Sequence, residues 1–83
     1  MQKKDAQNFL LAGNIQRVIV RAPFGRYDSW TVEFVGNIGN ANPILETARK
    51  QNREFATLDS AARALQQCYV TQFEVIQDLH PDG

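Results

Sequence analysis

Arg53-Glu54-Phe55-Ala56-Thr57-Leu58-Asp59-Ser60-Ala61-Ala62-Arg63-Ala64-Leu65 reads as a strand that stops and a helix that starts. Thr57 stands where its hydroxyl can accept a hydrogen bond from a first-turn N–H, as a helix N-cap requires. Asp59 falls in the first turn, where a negative charge meets the positive end of the helix dipole. Apolar side chains then recur at Leu58, Ala61, Ala62, Leu65 and Tyr69, with Cys68 beside them, on one stripe of helical spacing. Asp59, Ser60, Arg63, Gln66 and Gln67 form the polar side. Two alanines on the stripe let the helix lie close to what it covers. The β-rich segments on either side make that a sheet.

Working outward, Asn14 to Ala22 is rich in β-branched residues and reads as a strand. Pro23 to Ser29 has turn chemistry, and Trp30 to Val35 is a second strand ended by Gly36. Alternation sets Trp30, Val32 and Phe34 on one face and Thr31, Glu33 and Val35 on the other. The buried face therefore combines Val18 and Val20 with Trp30, Val32 and Phe34, and Arg17 and Arg21 point outward on either side of Ile19. Ile44 to Ala48 reads as a third strand and Arg49-Lys50-Gln51-Asn52 as a basic turn. Arg53 to Phe55 reads as a short fourth strand, and Thr71 to Ile76 as a last one, with Phe73 and Val75 on one face. The expected fold is α+β: a small curved antiparallel sheet of four to five strands with one helix packed on one face, in the order β-β-β-β-α-β. Residues 1–83 form a single domain. Residues 1–13 are either flexible or a short helix from Asp5 to Ala12 closed by Gly13, and residues 77–83 are a tail.

A chain of 83 residues buries only ~60–65 % of its unfolded surface, so its core is thin and dimerisation is a ready way to enlarge it. Nine basic residues balance nine acidic ones, for a net charge of zero. All the basic residues lie before residue 64, whereas only Glu74, Asp78 and Asp82 carry charge after it, an asymmetry that points to an anionic partner. Cys68 is the single cysteine, which excludes an intramolecular disulfide and a cysteine-based metal site and fits a reducing, cytoplasmic setting. The apolar run Phe9 to Ala12 is too short for a signal peptide or a membrane span, so no membrane partner is expected.

Enzyme chemistry finds little purchase. The only histidine, His80, sits between Asp78 and Asp82 near a Pro- and Gly-containing end, a poor platform for convergent metal ligands. Ser29, Ser60 and Cys68 have no histidine nearby in sequence and no Gly-x-Ser-x-Gly elbow. Gly36-Asn37-Ile38-Gly39-Asn40 lacks the Gly-Lys-Ser/Thr of a phosphate loop. No catalytic, cofactor or metal residue is expected, and a non-enzymatic role follows. The chemistry that remains is basic. Arg17, Arg21, Arg26, Arg49, Lys50 and Arg53 come from one strand face and two turns, with Phe24, Tyr27 and Trp30 nearby. Cations beside aromatics suit phosphate contact with stacking, so DNA is the expected partner. Zero net charge weighs against it, and Trp30 is more simply a core residue. The alternative is a protein-interaction or dimerisation module that uses an edge strand and binds no nucleic acid.

Glu46-Thr47-Ala48-Arg49-Lys50-Gln51-Asn52-Arg53-Glu54-Phe55-Ala56-Thr57-Leu58-Asp59-Ser60-Ala61-Ala62, with Trp30-Thr31-Val32-Glu33-Phe34 before it, resembles a pattern in small proteins of plasmids and integrative elements, some of them labelled partition-associated accessory proteins. The resemblance spans roughly residues 14 to 76. It implies a non-enzymatic role in maintaining such an element and transfers no site residues. Phe55-Ala56-Thr57 leading into an alanine-rich helix is also similar to the strand-to-helix joint of sheet-plus-helix DNA-binding domains, of the integrase arm-type and plant transcription-factor kinds. Those lay a three-stranded sheet in the major groove and back it with one helix. This chain departs from them in its fourth and fifth strands and its lower basic charge, and a shared fold alone transfers no function.

Overall fold

The joint at Thr57 forms as its residues dictate. In the computed structural model, which describes residues 1–23, 25, 28–39 and 42–77, Thr57 is extended (φ −135°, ψ 154°) and its Oγ1 accepts a hydrogen bond from Ser60 N at 3.1 Å. Helix α2 follows over Leu58–Gln67 with Ala61 and Leu65 buried. The helix closes when Tyr69 N donates to Gln66 O and Val70 N to Leu65 O, at 3.1 and 3.0 Å. This pair of bonds defines a Schellman motif, whose left-handed position usually holds glycine. Tyr69 occupies it instead, at φ +66°. The reversal carries Tyr69 off the buried stripe where the heptad-like spacing places it: it is 70 % exposed, and Val70 enters the core.

Four more elements complete the described fold: helix α1 (Lys3–Leu11) and strands β1 (Ile15–Ala22), β2 (Thr31–Gly36) and β3 (Glu74–Gln77). The sheet has three strands in the order β2-β1-β3. β1 and β2 pair antiparallel, with Val18 opposite Phe34 and Val20 opposite Val32. The inward face is the expected one. Val18, Val20, Trp30, Val32 and Phe34 join Ala61, Leu65, Cys68 and Ala6 in one buried cluster, so α1 and α2 cover the same side of the sheet. Gly36 faces Ile15 at the end of the ladder, where a Cβ would stand 2.0 Å from Asn14 O.

Three expectations need correction. Of the two readings of residues 1–13 the helix forms, over Lys3–Leu11 with Gly13 at φ +76°, so the expected order with one helix becomes α-β-β-α-β with two. The last strand runs parallel to β1, with Ile19 opposite Glu74 and Ala22 opposite Gln77. Phe55 bridges Trp30 antiparallel, so the chain enters α2 running in the direction of β1, and a helical crossover returns it in that same direction. The two strands expected at Ile44 to Ala48 and Arg53 to Phe55 are isolated bridges: Glu33 with Ile44, Glu46 with Asn52, and Trp30 with Phe55. Phe34 N bonds Pro43 O at 2.9 Å and Leu45 N bonds Val32 O at 2.8 Å, but Pro43 has no N–H to extend the ladder. The chain then folds on itself, and Phe55 returns to exchange two bonds with Trp30, at 2.7 and 2.9 Å. Two short stretches thus close the outer edge of β2.

Candidate functional site

The expected basic residues separate into two groups. Arg17 and Arg21 lie on β1, on the sheet face away from the helices. Between them Ile19 is only 3 % exposed although no helix covers it. Its register neighbours are Glu33 on β2 and Glu74 on β3. Arg17 grips Glu74 with two bonds, Nε to Oε1 at 2.8 Å and Nη2 to Oε2 at 2.6 Å. Arg21 Nε lies 3.8 Å from a Glu33 carboxylate oxygen. By register, two arginines and two glutamates therefore neighbour one isoleucine on this face. The bidentate bond raises the Arg17 pKa and holds the Glu74 carboxyl below its usual value of 4.5. This face is charge-compensated.

Arg49, Lys50 and Arg53 sit in a small hairpin over residues 45–53. Thr47 N donates to Gln51 O at 2.7 Å and Lys50 N to Thr47 O at 2.9 Å, while Thr47 Oγ1 accepts from Arg49 N at 3.2 Å. The bonding is that of a three-residue loop, Ala48-Arg49-Lys50, with a left-handed third position. Glycine is the usual occupant. Here it is Lys50, at φ +63°. Arg49, Lys50 and Arg53 are exposed and make no ion pair with a described residue. The Arg53 guanidinium stacks 4.9 Å from the centre of the Phe55 ring, which fixes its direction. Arg26 lies outside the described residues.

Two cations that sequence reasoning passed over join the second group. Lys3 and Lys4 open α1, and with Arg53 and Glu46 they line a cleft of about 210 Å³ between the helix start and the hairpin. The amide of Gln2 holds the two together, reaching Thr47 O and Ala48 O at 3.4 Å each. The Glu46 carboxylate in the cleft is matched by the Met1 amine at 2.9 Å, and Lys3 bonds the Gln67 side chain. Nothing in the local sequence links residues 3–4 to residues 49–53; only the fold joins them. Among the described residues no group of His, Cys, Asp and Glu is placed to hold a metal ion, and no helix is long and apolar enough to cross a membrane. No protein-family model, curated protein or solved structure matches the chain.

Proposed function

We propose that the chain is a non-enzymatic DNA-binding accessory domain whose working surface is the basic end formed by the hairpin and the start of α1. The role matches the plasmid and integrative-element proteins that its motifs resemble. One observation carries the reading: Arg49, Lys50 and Arg53 are exposed on a hairpin that holds lysine in a conformation suited to glycine, Arg53 shares a cleft with Lys4, and none of the four is neutralised by a described carboxylate. Lysine and arginine side chains on an exposed turn suit phosphate oxygens, which they contact without reading sequence. Arg17 and Arg21 are occupied by Glu74 and Glu33 and act in folding instead.

Fluorescence anisotropy with a labelled duplex of about 20 base pairs, titrated from low to high salt, tests this. Binding at low salt is expected, with a log–log salt slope of about −0.9 for each phosphate neutralised. Absence of binding at low salt, or binding that ignores salt, refutes the proposal.

A further inference from the structure

Among the described residues β3 is the open side of the sheet. Pro43, Leu45 and Phe55 close the outer edge of β2, whereas among the described residues β3 pairs with β1 alone. Open edges are usually blunted by lysine, proline or a bulge. Phe73-Glu74-Val75-Ile76-Gln77 has neither residue, and its one charge, Glu74, is held by Arg17 of the same chain. Two further demands meet there. Val75, on the face that the helices cover, is 48 % exposed, and Tyr69 and Phe73 continue the apolar surface along a groove of about 500 Å³ beside Ala62 and Gln66. At the end of the strand the Gln77 amide nitrogen is buried without a hydrogen-bond partner among the described residues.

We propose that a second copy of this chain covers the edge, β3 pairing antiparallel with β3 about a two-fold axis through Val75. Opposed residues in an antiparallel pair share a face, so a two-fold register must be centred on a residue rather than between two. Centring on Glu74 sets carboxylate against carboxylate, which is unfavourable. Centring on Ile76 leaves Glu74 without an opposite residue in the strand. Centring on Val75 places Val75 opposite Val75, Glu74 opposite Ile76 and Phe73 opposite Gln77. Each glutamate keeps its own arginine, and the exposed valines meet. The strand's charge and apolar pattern is thus complementary to itself, and the pairing turns two three-stranded sheets into one of six.

Sedimentation velocity without nucleic acid, over a range of protein concentration, is the first test, and twice the chain mass is expected at the upper end. Val75 is half exposed and outside the buried cluster, so Val75→Lys is expected to give a monomer with an unchanged far-ultraviolet circular dichroism spectrum. Val75→Cys fixes the register: Cβ atoms of directly opposed residues lie about 5 Å apart, so mild oxidation should cross-link this variant. Arg63→Cys, on the polar side of α2, should not cross-link. Cys68 is buried and identical in both. A wild-type monomer at all concentrations overturns the proposal, and so does a dimer whose Val75→Cys form fails to cross-link.

Discussion

The β1 arginines and the hairpin cations are equally basic in sequence and opposite in condition. Arg17 and Arg21 meet carboxylates on neighbouring strands, and Arg17 finds its partner 57 residues along the chain. Arg49, Lys50 and Arg53 sit in a hairpin that brings them no carboxylate partner among the described residues, since Glu46 in the adjoining cleft pairs with the Met1 amine. A sheet sets a strand residue beside two other strands, whereas the hairpin meets, among the described residues, the start of α1, which brings Lys3 and Lys4. Outward direction on a strand therefore does not make a charge available, and projection from a tight turn does.

The largest effect expected comes from removing the frame that both regions share. Gly36→Ala forces a Cβ against Asn14 O and should cost about 3 kcal/mol in chemical denaturation, near the upper end for overpacking. A loss under about 1 kcal/mol would mean that the β1–β2 end yields easily. Next, the two cation groups should part in DNA titrations. The Arg49→Ala/Lys50→Ala/Arg53→Ala triple variant is expected to bind about tenfold or more weakly and to lose roughly three phosphate contacts from the salt slope. Arg17→Ala/Arg21→Ala should leave the slope within about one contact of the wild type. Equal losses from both variants would break the distinction.

Lys50→Gly sharpens it from the other side. Relieving a left-handed non-glycine residue should raise stability by about 1 kcal/mol, while the salt slope falls by about one phosphate contact. Opposite changes in stability and binding from one substitution would show that the turn keeps its lysine for its charge. The smallest effect concerns the Arg17–Glu74 pair. Its hydrogen bond depresses the Glu74 pKa, so the pair's contribution to stability is present above the usual carboxylate value of 4.5 and is lost as pH falls through the lower folded value. Acid unfolding of the wild type should be steeper below that point than that of Glu74→Gln. Curves of equal slope would show the pair to be energetically silent, as many exposed pairs are.

The elements that close through neighbouring residues were legible in the sequence. Thr57 capped the helix it was expected to cap, and alternation sorted Val18, Val20, Trp30, Val32 and Phe34 onto the covered face. Tyr69 was misplaced because helical spacing has no end built into it, and the Schellman turn that reverses the chain uses tyrosine where glycine would have signalled it. The third and fourth strands were over-read because Ile44 to Ala48 and Arg53 to Phe55 have strand composition but spend their backbone bonds on a hairpin and on isolated bridges. Of the basic site, residues 49–53 were visible as a charged turn. Lys3 and Lys4 were not, because the amide of Gln2 that ties α1 to the hairpin acts across 45 residues.

The sequence by itself determined where helix α2 begins, which side chains of β1 and β2 face inward, and which turn carries the basic cluster, since each follows from chemistry within a few residues. The tertiary structure alone decided that β3 lies parallel to β1, that Arg17 and Arg21 are neutralised, and that the start of α1 joins the hairpin. Those outcomes depend on which distant segments become neighbours when the apolar face is buried, and local spacing does not encode that choice.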